Sequence, residues 1–429
     1  MTQVLDLAGI GAGPFNLAVA ALLHEQPLQS RFFEARPEFA WHPGLMLPGA
    51  LLQTSYLKDL VTPVDPTNPH SFLNYLVSHQ RFYDFMNAEQ AAISRQEFAD
   101  YLAWVAGRLP NLAMNSPVEQ VEDMGDHFRL QVNGESVRAR NLCVAGGKQP
   151  YIPDCCKPLL SDHCFHALGI AHRDLDLRGR RVAVIGGGQT GAEIVQNLLN
   201  DHWGRAEKVL WISRRSNYLP LDETPFTNDW FTPDYVDHFR QLPAARRAQI
   251  VAEQKLASDG ISPSTLKALY QQFYRIRHLD NDANRVALLP NRELQSLVHS
   301  SGYGLTLRNA FNDDLEYHRA DVVILCTGLE ESLPDCMNEL RRRLHRDEAG
   351  RLLLNGAFSA RLDAANGRRI YLLNVGRHSH GISEPQLSLS AWRAACVVND
   401  LTGKAVYETR QADNFMRWAT DGAPQAAVA

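Results

Sequence analysis

Arg181-Val182-Ala183-Val184-Ile185-Gly186-Gly187-Gly188-Gln189-Thr190-Gly191 is the stretch that decides the fold. A short apolar strand runs into Gly-x-Gly-x-x-Gly, and an apolar helical pattern continues to about residue 199. A dinucleotide pyrophosphate needs this order: a tight turn, a backbone without Cβ at closest approach, and the positive end of a helix beneath it. The same order occurs near the N-terminus, where Val4-Leu5-Asp6-Leu7-Ala8 runs into Gly9-Ile10-Gly11-Ala12-Gly13-Pro14-Phe15-Asn16-Leu17. There the third glycine is replaced by Pro14, which a helix start tolerates because that N–H has no intrahelical partner.

The residues at the end of the second strand of each unit separate the two nucleotides. In the first unit that strand, Arg31-Phe32-Phe33, leads to Glu34, placed to accept hydrogen bonds from a ribose hydroxyl. The corresponding strand of the second unit ends Trp211-Ile212-Ser213-Arg214-Arg215. An acid is absent, and a hydroxyl with two guanidinium forks matches the extra 2′-phosphate of NADP, so NADPH is favoured there. The bland alternative is a solvated arginine pair at a strand end. Two dinucleotide sites in series imply a flavin and a nicotinamide exchanging a hydride. Asp321-Val322-Val323-Ile324-Leu325-Cys326-Thr327-Gly328 reads as a buried strand ending in a small-residue turn where the chain crosses between domains, with Val144-Ala145-Gly146-Gly147 as its partner crossing.

Outward from these turns, residues 127–145 alternate around Asn133-Gly134 and predict a hairpin leading into a buried strand. Ser94-Arg95-Gln96-Glu97 has capping-box spacing and opens a helix at about 95–109 with Phe98, Tyr101, Leu102 and Val105 on one side. A strand is expected at 207–213, and the charged stretch 234–279 is helical, with Leu266, Leu269, Tyr270 and Phe273 at helical spacing. Strand-like runs return at 286–289, 321–326 and 370–375, and a helix at about 385–401 closes the chain, leaving an Ala-rich tail after Asp421. Strands alternating with helices argue for parallel α/β sheets. The expected architecture is two Rossmann-like dinucleotide-binding domains with a helical substrate-binding segment. Residues 1–175 form the first part of the FAD-binding domain, 176–324 the NADPH-binding domain containing the helical segment 222–280, and 325–429 the returning part of the FAD-binding domain.

At 429 residues, 45% hydrophobic and 21% charged, the chain has the composition of a globular protein with large cores. A formal charge of −5 provides no polycationic surface, so nucleic acid is not an expected partner. No apolar run approaches the ~18 residues of a membrane span, and the N-terminus lacks the pattern of a signal peptide. Seven cysteines, an odd number without a CxxC pair, fit a reducing cytoplasm. Cysteine usage also separates a disulfide reductase from a monooxygenase: the former needs a CxxC-type pair, and Cys143 and Cys326 read as core residues inside apolar strands. No metal site is expected; His378-Ser379-His380 lacks a third ligand and reads as loop.

Further stretches resemble the microbial N-hydroxylating flavin monooxygenases, the lysine, ornithine and diamine hydroxylases of siderophore assembly. They are Gly11 to Leu17, Trp41-His42-Pro43-Gly44, Gln53-Thr54-Ser55-Tyr56-Leu57-Lys58-Asp59-Leu60-Val61, Gly147-Lys148-Gln149-Pro150, and His380 to Leu389. Ser258-Asp259-Gly260-Ile261 and Glu384-Pro385-Gln386 are most similar to the lysine branch. The resemblance implies that NADPH reduces FAD, that the reduced flavin takes up O₂ as a C4a-hydroperoxide, and that a neutral terminal amine attacks its distal oxygen. L-lysine or its decarboxylated form cadaverine, with putrescine also compatible, is the implied substrate. A homo-oligomer, tetramer or dimer, is implied as well. An NADPH-flavin oxidoreductase or electron-transfer module without an amine substrate is the competing reading.

By the same resemblance, Gln53 and Asn228 act at the reacting centre, and Lys58, Gln53, Asn228 and Ser388 bind substrate. The cofactors are held by Gly9, Gly11, Gly13, Pro14, Glu34, Trp41, His42, Gln53, Thr327, Gly328, Leu387 and Ser388 on the flavin side. Gly186, Gly188, Gln189, Thr190, Gly191, Ser213, Arg214 and Arg215 serve the nicotinamide nucleotide. Lys58 matches a lysine that pairs with the substrate carboxylate. Ala257-Ser258 departs from the ornithine enzymes, whose Asn-Tyr pair at that place helps to hold the amino-acid head.

Overall fold

The structure is a computed structural model that describes residues 3–90, 92–363, 366–410 and 414–419; the Ala-rich tail after Asp421 lies outside them. Two sheets organise the chain, the first mixed and the second wholly parallel. The first has the order β3 (Leu112–Ala113), β2 (Ser30–Phe33), β1 (Val4–Ile10), β6 (Glu135–Val144), β5 (Phe128–Val132) and β4 (Val118–Asp123). β1 pairs in parallel with both β2 and β6. The hairpin between β5 and β6 turns at Asn133 and Gly134, with φ of 50° and 75°. Two successive left-handed residues match the right-handed strand twist, which is why Asn-Gly signalled the turn in advance. β6 is used twice: Glu135–Ala139 pair with β5, and Leu142–Val144 pair in parallel with β17 (Ile370–Leu372), brought back from the far end of the chain.

The second sheet has the order β11 (Val286–Leu289), β10 (Lys208–Ile212), β9 (Arg181–Ile185), β15 (Val322–Leu325) and β8 (Cys164–His166), all parallel. β8 belongs here although it precedes residue 175. The chain passes between the sheets at a two-stranded ribbon, β7 (Lys148–Pro150) antiparallel to β16 (Leu329–Glu331), which joins the two crossings side by side. An antiparallel meander of β12 (Arg292–His299), β13 (Tyr303–Asn309) and β14 (Leu315–Ala320) fills the interval before β15. It was not among the expected elements, although Tyr303, Leu305 and Leu307 alternate as a strand would.

The first core is shared between distant parts of the chain. The helix Pro14–Leu22 is buried at eight of its nine positions and packs against the helix Ser390–Thr402, whose Trp392, Ala394 and Val397 enter the same core. That closing helix starts at Ser390 because a 3₁₀ turn, Leu387–Leu389, occupies the residues after Pro385. The helix Arg95–Ala106 begins as expected: Ser94 Oγ accepts the Glu97 N–H at 3.0 Å, and Phe98, Tyr101, Leu102 and Val105 are buried. Between β10 and β11, residues 225–278 are helical in pieces, the longest being Pro263–His278. Leu269 is buried there, but Tyr270 is 75% exposed, so the apolar stripe is narrower than its spacing suggested. His378-Ser379-His380, expected as a loop, forms one helical turn, Arg377–His380, and the last strand ends at Leu372 rather than residue 375.

Gly186 shows how tightly the second sheet is closed. Its φ is +140°, and a Cβ there would lie 2.0 Å from the Cys326 carbonyl oxygen at the end of β15. Gly186→Ala is therefore expected to destabilise the protein by about 3 kcal/mol, through overpacking and a disfavoured φ. Thermal unfolding of the purified variant checks this, and an unchanged Tm would contradict it.

Candidate active site

Each glycine turn divides its residues between packing and an open face. In the first, a Cβ on Gly9 would strike the Phe32 ring at 2.0 Å, and one on Gly11, at φ +81°, would meet the Ala145 carbonyl oxygen at 2.9 Å. Gly13 has only that oxygen at 4.0 Å. Gly13 is the N-cap of the helix Pro14–Leu22, with no side-chain hydrogen bond capping it, so the first-turn N–H groups after Pro14 have no intrahelical partner. The second turn repeats the pattern. Gly187 is filled against Ser213 and Gly191 against the Gly186 carbonyl, whereas Gly188, the uncapped N-cap of the helix Gln189–Leu199, has nothing within 4 Å. In both, the free glycine stands at the helix N-terminus, where an anion is stabilised by exposed N–H groups and the helix dipole.

Asn16, buried at 0% exposure, locks the first turn: its Nδ2 donates to the carbonyls of Ile10, Gly11 and Cys143. In sequence it is one residue of the Gly-Pro-Phe-Asn-Leu run, with nothing to mark this role. Glu34 Oε2 accepts the Ala12 N–H at 2.9 Å and Oε1 the Arg36 N–H at 3.1 Å, so the carboxylate sits at the lip of the turn. Trp41 packs edge-on against Phe98 and against His42, which adopts φ +47°.

The two arginines after β10 part company. Arg215 Nη1 donates to the Asp259 carbonyl at 2.8 Å and more weakly to Gly187. Arg214 is exposed and, among the described residues, unpaired. Ser213 is buried beneath Gly187, its Oγ accepting the Arg215 N–H. Arg214 is thus the guanidinium left free for a phosphate.

Between the turns a continuous polar chain joins both halves of the molecule. Gln53 Nε2 donates to Ser262 Oγ at 3.0 Å and to Gln189 Oε1 at 3.3 Å. Gln189 Oε1 also accepts the Ser262 N–H at 2.8 Å, and its Nε2 donates to Glu193 Oε1 at 3.0 Å. Glu193, 4% exposed, receives Arg95 Nη2 at 2.9 and 3.2 Å, and Arg95 Nη1 donates to the Leu45 carbonyl. Gln189 therefore directs its amide to this junction while its backbone opens the second helix. Thr190 begins that helix beside it. Gln53 belongs to the first half, Gln189 to the second and Ser262 to the helical segment.

That helical segment is held in place by residues 219–221, which pair with Ile261. The pairing requires Gly260, since a Cβ there would lie 2.2 Å from the Leu221 Cα. The same loop leads to Asn228, exposed at the end of the turn Pro225–Asn228. Ser258 Oγ and Asp259 Oδ1 accept from Arg377 Nη2, and Gln386 Nε2 reaches the Ser258 carbonyl.

In the first half of the chain, Lys58 is half-buried; burial lowers its ammonium pKa, and no carboxylate pairs with it among the described residues. Ser388 is buried with its Oγ unpartnered among the described residues, next to the half-buried Leu387. Their loop is set by a fully buried ion pair, Arg393–Glu384. Arg393 donates to the carbonyls of Glu384 and Gln386 and stacks over the Phe15 ring at 4.0 Å. Glu384 Oε1 accepts the Asn374 N–H. Thr327 Oγ1 donates to the Tyr151 carbonyl, fixing the crossing at Gly328. An orphaned buried hydroxyl and two uncapped helix N-termini with clear space before them fit a flavin dinucleotide and a nicotinamide dinucleotide.

Two substitutions separate these roles. Gly188→Ala places a methyl in open space, so the Tm should hold while the Kd for NADPH rises by about tenfold or more, because the pyrophosphate loses its close backbone approach. Arg214→Ala should weaken NADPH by about 1.5–3 kcal/mol and leave NADH nearly unchanged. Equal losses for both nucleotides would remove the 2′-phosphate from Arg214.

Comparison with known proteins agrees with this geometry. The sequence profile of the family described as L-lysine 6-monooxygenase/L-ornithine 5-monooxygenase matches residues 3–331. The L-lysine N6-monooxygenase of Escherichia coli is 37% identical, over 97% of this chain and 99% of its own length. A putrescine N-hydroxylase of Acinetobacter baumannii is 31% identical over 97% of this chain and 94% of its own. Among solved structures, the FAD-bound cadaverine monooxygenase of desferrioxamine biosynthesis from Erwinia amylovora superposes with a TM-score of 0.89, at 30% identity, covering 97% of this chain and 98% of that one. The Kutzneria ornithine N-hydroxylase, solved with reduced FAD, NADP⁺ and L-ornithine, gives 0.87 at 27% identity, covering 94% and 99%. No helix among the described residues is long and apolar enough to cross a membrane. With its two dinucleotide turns and the junction between them, the chain belongs to the L-lysine 6-monooxygenase/L-ornithine 5-monooxygenase family of FAD- and NADPH-dependent N-hydroxylating monooxygenases.

Proposed function

We propose that this chain hydroxylates the terminal amine of L-lysine at the junction of the two nucleotide sites, consuming NADPH and O₂ and yielding a hydroxylamine for hydroxamate siderophore assembly. The observation that carries the choice of L-lysine is Lys58, a half-buried ammonium with no carboxylate among the described residues to balance it. A charge left unbalanced at that depth is costly, and a substrate carboxylate would offset the cost.

The residues divide the work. The N-termini behind Gly13 and Gly188 hold the two pyrophosphates, Glu34 the flavin ribose and Arg214 the 2′-phosphate. FAD, when bound and reduced by NADPH, supplies the oxygen activation. Lys58 anchors the carboxylate end of the substrate. Asn228, carried on the loop tied to Ile261, orients the other end. The Gln53 amide, held by Ser262 and Gln189, presents a donor and an acceptor at the reacting centre. A terminal ammonium, ordinarily with a pKa near ~10.4, must lose its proton to become a nucleophile, and an apolar wall around it favours the neutral form. The alternative substrate is the decarboxylated diamine, cadaverine; it is favoured by Ala257-Ser258, where nothing like the head-group asparagine of the ornithine enzymes stands.

Hydroxylamine formation and NADPH consumption, measured separately with L-lysine, L-ornithine, cadaverine and putrescine, test the proposal: product from L-lysine is expected. Lys58→Ala should raise KM for L-lysine by about 10- to 100-fold, the loss of one charge-assisted pair, with KM for cadaverine unchanged. Equal KM changes for both amines, or product from the diamines alone, would take the carboxylate role from Lys58. NADPH oxidation without hydroxylamine from any of the four would favour an electron-transfer module.

A further inference from the structure

Beside Trp230, which packs against the small core of Phe231, Ala257 and Ile382, lies a cavity of about 390 Å³, within the usual range of small-molecule sites (~300–1,000 Å³). Three aromatic rings line it: Trp230, Tyr235 and, from the C-terminal stretch, Trp418. The Tyr235 and Trp418 rings meet edge to face with centroids 4.9 Å apart. Gln254 is 7% exposed, and its Nε2 donates to the Tyr235 hydroxyl at 2.6 Å. That bond uses the amide as a donor and leaves Gln254 Oε1, an acceptor, buried and, among the described residues, without a partner. Trp418 Nε1, a donor, is likewise buried and, among the described residues, without a partner. At the mouth stand Arg246 and Glu253, on the helix Ala244–Glu253, with Nη1 and Oε1 3.7 Å apart, too long for a good hydrogen bond. Glu253 Oε1 is also bonded to Gln249.

One orphaned acceptor, one orphaned donor and a loosely joined pair of opposite charges around an aromatic cage have a definite complement. Buried polar groups in folded proteins are nearly always paired, so the two orphans call for a ligand or water. An alkylammonium alone would satisfy Gln254 Oε1 and Glu253 and gain from the ring faces, but it would leave Trp418 Nε1 and Arg246 unused. A carboxylate alone would do the reverse. We propose that this cavity binds a zwitterionic amino acid, its ammonium toward Gln254 Oε1 and Glu253, its carboxylate toward Trp418 Nε1 and Arg246, and its aliphatic chain among the rings. Lys58 is not among the residues that line the cavity. Trp230 immediately follows Asn228-Asp229, so an occupant bears on the loop that carries Asn228.

The test is calorimetric titration of the FAD-loaded, NADPH-free protein with L-norleucine, which has the amino-acid head of lysine but no terminal amine to hydroxylate. Saturable binding is expected, persisting in Lys58→Ala. It should weaken by about tenfold or more in Arg246→Ala/Glu253→Ala, whose two side chains are exposed on a helix surface and tolerate replacement. Pentylamine and hexanoate, each lacking one charge, should bind about tenfold or more weakly than L-norleucine. Loss of binding in Lys58→Ala would place the ligand in the reaction site and overturn the proposal. Equal affinity for pentylamine or hexanoate would overturn the zwitterion, and absence of binding would mean that the cavity holds water only.

Discussion

The ion pair between Arg95 and Glu193 is the constraint on which the rest of the site depends. Its side chains are only 16% and 5% exposed, and it ties the first turn of one half's helix, Arg95–Ala106, to the helix that carries the second dinucleotide turn. Breaking a buried pair by removing one partner typically costs ~3–5 kcal/mol, because the other charge is left uncompensated. Here the pair also spans the two nucleotide sites. Through Gln189 and Ser262 it reaches Gln53, so the helix that would hold the nicotinamide pyrophosphate and the loop proposed to face the flavin are registered by one chain of hydrogen bonds. Hydride transfer depends on that register, because a misplacement of ~1 Å can cost about 10²-fold in rate.

A second buried pair, Arg393–Glu384, plays the matching part on the flavin side. The chain leaves the first sheet at β6, builds the second sheet, and returns as β17 beside β6 and as the helix Ser390–Thr402 against Pro14–Leu22. The return packs Leu387 against the same core as Phe15, and Arg393 holds the loop before it by the Glu384 and Gln386 carbonyls while its guanidinium lies on Phe15. Because both crossings are paired in the β7/β16 ribbon, the relation of the two sheets is set by backbone hydrogen bonds as well as by side chains.

Local signals made part of this legible in the sequence. The glycine turns, Pro14 at a helix start, Asn133-Gly134 and the Ser94 cap are each decided by backbone conformations or end groups within a few residues, so the pattern is sufficient. The meander of β12 to β14 was not anticipated: its outer strands mostly alternate half-buried and exposed positions and carry charges, as in Leu315–Ala320, and only β13 has a row of buried alternate positions. β7 and β16 are three residues each and have no apolar signature. The two ion pairs differ in visibility for a related reason. Glu384 falls in the motif His380 to Leu389, but Arg95 and Glu193 are 98 residues apart, and nothing local marks either as half of a buried pair. Arg214 and Arg215 read alike in sequence; only the position of the Asp259 carbonyl separates them.

Whether the Arg95–Glu193 pair aligns the two nucleotide sites is measured most directly by anaerobic stopped-flow reduction of bound FAD by NADPH in Glu193→Gln. The charge is removed while size and an acceptor for Gln189 are kept. The flavin reduction rate should fall by about 10- to 100-fold while the Kd for NADPH remains close to that of the parent protein. A reduction rate equal to the parent's would show that the two halves are registered without this pair, and would contradict its central role.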